Sequence, residues 1–222
     1  LAADLTILVF IAYTGSVFRE HMSMSGLIAF IKLKINEALH SLHHMKRDRA
    51  LIHMNIRMAR GARRKEELRD DGLIFRAGTK ADLKKIDELH LKIYKVPILE
   101  WLRRVYSVCP EELIGVVETQ DKELIGYDLF MFNESEVTQE IIHEWEVVIA
   151  PEYQGRGIAT RLRRYSAESY NHGRLAGVST LAGFSDVKAL RTAQKAGFAI
   201  TRASAKPPAH YLFKYLKKAQ DS

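Results

Sequence analysis

The segment 146–160, EVVIAPEYQGRGIAT, constrains this chain more than any other. A run suited to a strand is stopped by Pro151, and Gly155 and Gly157 then bracket Arg156 where a helix should begin. Glycine reaches backbone angles closed to other residues and lets a ligand come close to the main chain. The first turn of a helix meanwhile leaves N–H groups without partners, at the positive end of the helix dipole. Strand, glycine turn and helix in that order make an anion site, although the same signal also suits a plain tight turn. No Lys-Ser/Thr follows the second glycine, which excludes a Walker loop, and the glycine spacing is not the dinucleotide-binding one.

The surrounding sequence alternates strand and helix patterns. A strand is expected over 73–76. The Thr79–Asp82 spacing reads as a capping box, with Asp82 in the slot usually held by Glu or Gln, opening a helix to about Tyr94. Pro97 suits the first turn of a helix running to about Val108. Strands over 113–119 and 123–132 flank a hairpin signal at Gln120-Asp121-Lys122. A strand over 140–150, a helix over 156–170, a strand over 175–181, a helix over 186–196 and strands over 198–203 and 211–216 complete the series. Helices between strands argue for an α/β or α+β sheet domain.

The first part of the chain differs. From Ser25 to Met58, Ile28, Ile31, Ile35, Leu39 and Leu42 recur every three or four residues, a helical pattern. Residues 57–69 carry six Lys and Arg without interleaved aromatics, so they read as a solvated helix or linker ending at Asp70-Asp71-Gly72, and no nucleic acid is expected. We therefore expect a helical N-terminal extension over 1–72 and a sheet domain over 73–222. The apolar run 5–18 is short of the roughly 20 residues of a spanning helix and lacks the positive flank of a signal peptide. It reads as a buried or partner-docking helix, with association at a membrane surface as the alternative.

A hydrophobic fraction of 47% is that of an ordinary globular chain, and one cysteine, Cys109, excludes an internal disulfide framework. The net charge of +7 is compatible with an anionic ligand. His40, His43 and His44, with His53 further on, could place two imidazoles on one metal, but no third ligand is evident and none is expected.

Gln154-Gly155-Arg156-Gly157-Ile158-Ala159 matches Q/R-x-x-G-x-G/A, and Val147, Ile149 and Pro151 precede it. On these residues the chain resembles the GNAT superfamily of N-acetyltransferases. Phe75 to Asp82 resembles the family's opening strand and capped helix, and Lys195-Ala196-Gly197-Phe198 its K-x-G-F ending, so the resemblance covers roughly residues 73–218. It implies a mixed, mostly antiparallel sheet flanked by helices, with two strands splayed to admit acyl-CoA, most simply acetyl-CoA. Val147, Val148 and Ile149 would then bond the pantetheine, and Gln154 to Thr160, including Ile158 and Ala159, the pyrophosphate. Arg156, Arg161, Arg163 and Arg164 would offer charge for the 3′-phosphate, each being equally at home on a solvated helix face.

Acyl transfer to an amine needs a proton acceptor and an oxyanion donor. The resemblance places the base near the start of the splayed strand, where His143, Glu144 and Glu146 stand, and suggests the N–H of Val148 for the oxyanion. Strict alternation would put His143 with Trp145, Val147 and Ile149, and Glu144 with Glu146 on the other face. Two family slots depart from pattern. An Asn and a Tyr are common early and later in the last helix; here they are Asp186, counted by the resemblance among the cofactor-binding residues, and Ala193, which cannot protonate a leaving thiolate. Tyr165, Tyr211 and Tyr215 are the other phenols considered. Trp101 with Arg103 and Arg104 would lie at an acceptor lip.

The expected activity is an N-acyltransferase acting by direct attack of a small-molecule amine, without a metal. The runner-up donors are a long acyl-CoA or an acyl carrier protein, as in an N-acyl amino acid synthase. The rival is a non-catalytic CoA-binding or interaction module. A homodimer through the N-terminal helices and a cytoplasmic location complete these expectations.

Overall fold

The computed structural model describes residues 44–62 and 65–217. The chain divides into two compact units, Leu1–Asp48 and Arg49–Ser222. Of the first, the described residues 44–48 are helical. The apolar run 5–18, the periodic residues Ile28 to Leu42 and the His40–His43 spacing lie outside the described residues.

The second unit opens with a helix over 49–59 (α1), followed by β1 (Leu68–Asp70) and β2 (Leu73–Ala77). Next come α2 (Leu83–Tyr94), α3 (Glu100–Val108), α4 (Pro110–Leu113), β3 (Ile114–Thr119), β4 (Leu124–Met131) and β5 (Ile141–Ile149). The chain ends with α5 (Ile158–Glu168), β6 (Gly177–Gly183), α6 (Val187–Lys195), β7 (Ala199–Ala205) and β8 (Pro208–Tyr215). The strands form one sheet in the order β1-β2-β3-β4-β5-β6-β8-β7, antiparallel everywhere except between β5 and β6. This is the mixed, mostly antiparallel sheet flanked by helices that the sequence led us to expect.

Tyr127 and Asp128 show how the layers are arranged. Neighbours in a strand face opposite sides. Tyr127 meets His90 of α2, while Asp128 faces Ser166 and Arg163 of α5, so α2 and α5 cover opposite faces. One core cluster gathers Ile86, Leu102, Tyr106, Tyr127, Phe130 and Val178, and a second gathers Phe75, Val117, Ile149, Ile158 and Leu162 under α5.

Residues 49–72, assigned from sequence to the extension, lie within the compact unit. Ala59 is buried, and Ile52, Met54 and Ile56 pack against the main core. Asn55 clamps α1 to the sheet: its Nδ2 donates to the Phe132 carbonyl at 3.1 Å, and its Oδ1 accepts from the Phe132 N–H at 2.7 Å. The basic stretch, read as a solvated helix or linker, is described here except for residues 63 and 64. It leaves α1, buries Lys65 and pairs β1 with β2. Lys65 Nζ donates to the Glu112 carbonyl at 2.8 Å and to Tyr170 at 2.7 Å, and burial lowers its pKa to about 7.

The Thr79–Asp82 cap is present: the Asp82 carboxylate accepts from the Thr79 N–H at 2.8 Å and is bound by Arg76. Pro97 does not open α3, which begins at Glu100. Asp186 caps α6, its Oδ1 accepting from the Ala189 N–H at 2.8 Å. Asp186→Ala should therefore cost about 1 kcal/mol, a melting shift of roughly 2–4 °C, whereas Asp186→Asn should melt like the parent. Thermal denaturation of both variants checks this.

Candidate functional site

The site begins where β5 and β6 part. Their parallel pairing runs from Ile141↔Gly177 to Glu144↔Thr180 and goes no further, although β5 continues to Ile149 and β6 to Gly183. On its other edge β5 stays paired with β4 to Gly126↔Ile149. Residues 145–149 therefore have a sheet neighbour on one side and a gap on the other.

A β-bulge shapes this stretch. Leu129 pairs with Glu146 and Phe130 with Glu144, so Trp145 is the extra residue. A bulge adds one residue and inverts the alternation beyond it. Glu146 consequently faces α2, with its Oε2 3.2 Å from His90 Nδ1. Val147 and Ile149 turn to the α5 side, where both belong to the smaller core cluster. This corrects the unbroken alternation: Glu144 and Glu146 lie on opposite faces, and Glu146 shares the face of His143.

The bulge also decides which main-chain groups reach the gap. The Ala150 N–H donates to the Ile125 carbonyl at 2.8 Å, so the N–H of Val148, two residues earlier, points to β4 as well. The N–H groups of Val147 and Ile149 face the gap instead. This moves the candidate oxyanion donor from Val148 to Val147. The Ile149 carbonyl faces the same way and accepts from Gln154 Nε2 at 2.9 Å, while Gln154 Oε1 accepts from Lys188 at 2.7 Å.

Beyond β5 the chain turns through Pro151–Tyr153 into the glycine loop. Gly155 and Gly157 hold φ of 79° and 76°, and a Cβ at either position would meet nothing within 4 Å. Gly157 is the N-cap of α5, and the helix's first main-chain bond is Arg161 N–H to Gly157 O at 3.2 Å. The amides of Ile158, Ala159 and Thr160 thus precede the hydrogen-bond ladder, next to two glycines whose Cβ positions face open space, as an anion site requires.

Two of the four arginines assigned to phosphate are committed elsewhere. Arg161 binds Asp70 at 2.5 Å, and buried Arg163 lies 3.0 Å from Glu144. Arg156 and Arg164 remain on the surface, donating to the carbonyls of Glu152 and Lys195.

The three candidate bases have different surroundings. Glu144 is fully buried beneath α5; burial raises its pKa and Arg163 opposes the rise. His143 is enclosed between β5 and β6, its Nδ1 2.8 Å from Ser179 Oγ and 3.6 Å from Glu136, whose carboxylate accepts from Tyr211. Burial lowers the His143 pKa and Glu136 works against this. Glu146 alone stands beyond the last β5–β6 pair. Burial raises its pKa to about 6, and a hydrogen bond with Tyr94 pulls the other way. His90 Nδ1 also lies 2.9 Å from the Tyr127 hydroxyl, and burial lowers the His90 pKa while Asp87 works against this.

His90 and Tyr94 were missed in the sequence, although Ile86, His90 and Tyr94 recur every fourth residue on one stripe of α2. Of the phenols that were considered, Tyr165 donates to the Glu66 carbonyl, Tyr211 binds Glu136 and Tyr215 is 83% exposed. Ala193 is fully buried, and Trp101 packs against the main core. Among the described residues no group of three or more His, Cys, Asp or Glu could hold a metal ion, and no helix is long and apolar enough to cross a membrane.

The acetyltransferase (GNAT) family model matches residues 83–198. No curated protein matches the chain in sequence. Among solved structures, Arabidopsis thaliana Naa50 in complex with the bisubstrate analogue CoA-Ac-MVNAL superposes with a TM-score of 0.53 at 13% identity, over 64% of this chain and 97% of that one. The aminoglycoside acetyltransferase AAC(6')-Ib in complex with paromomycin and acetyl-CoA gives 0.52 at 21% identity, over 65% and 94%. A dodecameric spermidine N-acetyltransferase from Vibrio cholerae gives 0.53 at 20% identity, over 66% and 95%.

Proposed function

Because this chain belongs to the GNAT acetyltransferase family, we propose that it transfers an acyl group, most simply acetyl, from coenzyme A to a small-molecule amine. The observation that carries the reading is the gap beside residues 145–149, which leads directly into the glycine turn and the open amides of α5. Pantetheine would lie along β5 and bond Val147 and Ile149, with the pyrophosphate on the amides of Gly155 to Thr160. Lys188 and Arg156 supply positive charge nearby.

The acceptor attacks the thioester carbonyl as a neutral amine. Its nitrogen forms the new N–C bond, the Val147 N–H stabilises the oxyanion, and Glu146 takes the amine proton. Collapse breaks the C–S bond and releases the thiolate, which is protonated from solvent. His143 meets Ser179 and Glu136 rather than Glu146, so in this reading it does not take the proton.

A second reading has one observation in its favour. Ala193 is fully buried, so the slot where relatives keep a proton donor is here part of the core. A non-catalytic CoA-binding module would fit that substitution. Titration with acetyl-CoA, followed by thiol release across an amine panel, separates the two. Binding with amine-dependent thiol release is expected; binding without release from any amine would favour the module.

A further inference from the structure

With Glu146 as the base, the contacts of its carboxylate decide which oxygen is free to take a proton. Resting on that acyl-transfer reading, we infer that His90 is a positioning residue: its Nδ1–H holds Glu146 Oε2 and leaves Oε1 as the oxygen that receives the amine proton.

Glu146 reaches α2 because the bulge at Trp145 turns it there. Its Oε2 lies 3.2 Å from His90 Nδ1, and the two side chains are only 12% and 8% exposed. Little water competes for that contact, so it counts for more than a surface pair. The same Nδ1 lies 2.9 Å from the Tyr127 hydroxyl. The His90 ring is packed as well, its centre 4.9 Å from the Tyr94 ring and 6.4 Å from the Tyr127 ring. Contacts at the nitrogen and on the ring together fix where Nδ1 points. Tyr94 bonds the Glu146 carboxylate too, which has lone pairs for both donors.

The proton on His90 follows from these neighbours. The titratable groups around Glu146 are His90 and Tyr94 from α2, Tyr127 from β4 and Tyr106 from α3, with Asp186 acting on Tyr94. Burial raises the pKa of all three tyrosines, so each hydroxyl keeps its proton. Burial lowers the His90 pKa while Asp87, bound by Arg103, works against this, so above neutral pH the ring holds a single proton. A carboxylate acting as a base can only accept. With the ring proton on Nε2, a bare Nδ1 would set its lone pair against Oε2. With the proton on Nδ1, the contact becomes a charge-assisted hydrogen bond, shared with the Tyr127 oxygen. That bond survives the reaction. As the N–H bond of the attached amine breaks and an Oε1–H bond forms, Oε2 remains an acceptor.

Nitrogen-15 NMR of the full chain at pH 7.5, with the His90 ring assigned through bonds from its own amide, reads the tautomer without any substitution. A proton on Nδ1 is expected, and a proton on Nε2 overturns the proposal. The pH–rate profile with acetyl-CoA and the fastest amine of the panel reads the consequence. His90→Phe should raise the acid limb from about 6 by about 1–2 pH units, the size of a lost hydrogen bond to a charged group. Above the limb its kcat should fall at least about 10-fold, as a misaimed base implies. His90→Asn keeps a donor amide and should bring the limb back to within about 0.5 unit of the parent. Unchanged coenzyme A affinity in both variants reports an intact fold. A limb that stays or falls in folded His90→Phe, or His90→Asn behaving like it, overturns the proposal. A parent chain that releases no thiol with any amine is a different failure: it refutes acyl transfer, and the role of His90 falls with it.

Discussion

Gly157→Trp is expected to abolish coenzyme A binding in a protein that still folds. The two halves of that expectation rest on different observations. In the structure Gly157 holds a φ of 76° and its missing Cβ faces open space, so the side chain leaves the backbone without a clash at Cβ. The remaining cost is the left-handed backbone, about 1–2 kcal/mol for a residue other than glycine, or a few degrees of melting temperature. The same open space is where the diphosphate would meet the amides of α5. An indole there blocks the approach of the ligand, and an affinity loss above roughly 100-fold, about 2.7 kcal/mol, should follow. Calorimetric titration with coenzyme A, run beside near-ultraviolet circular dichroism, measures both halves. Parent-like affinity in a folded variant would remove the glycine loop from the site.

What could be read from the sequence divides along physical lines. The order of strands and helices was legible because each element carries its own periodicity and punctuation, as Thr79–Asp82 and Pro151 illustrate. The glycine loop was legible for the same reason, since Gly155 and Gly157 are adjacent to the helix they open. The bulge at Trp145 was not. It exists only through the pairing of β5 with β4, and no local pattern in HEWEVVI announces that two residues will oppose one. That single insertion exchanges the faces of every later residue, so it decides whether Glu146 meets His90 and which amide points into the gap.

Buried polar residues were hidden for a related reason. Lys65 and Arg163 read as surface charges because their partners, Tyr170 and Glu144, are distant in sequence. Asn55 was likewise passed over within a helical stretch, though its amide satisfies both main-chain groups of Phe132. Polar composition signals exposure only on average, and long-range hydrogen bonding reverses it.

Glu146→Gln should lower kcat by about 10²–10⁴-fold, the range for loss of a general base, while the protein becomes no less stable at neutral pH. The carboxyl has a pKa of about 6, raised chiefly by burial. The base form is therefore present above pH 6, and the parent rate should fall as pH drops through that value. Stability has the opposite sign. A folded-state pKa above the unfolded one means the folded protein binds the proton more tightly. That favours folding below the unfolded value and is lost as pH rises through about 6. At neutral pH the buried carboxylate should thus destabilise the fold by something on the order of 1–2 kcal/mol. Glutamine removes the charge but keeps the shape, so the variant should unfold at equal or higher urea concentration at pH 7.5 while its pH–rate profile loses the acid limb. His143→Ala supplies the contrast, since a histidine that meets Ser179 and Glu136 rather than Glu146 predicts a smaller loss of kcat and a retained limb near pH 6. If the acid limb persists in Glu146→Gln and disappears in His143→Ala, the proton passes to the histidine, and the bulge serves only to aim the Val147 amide.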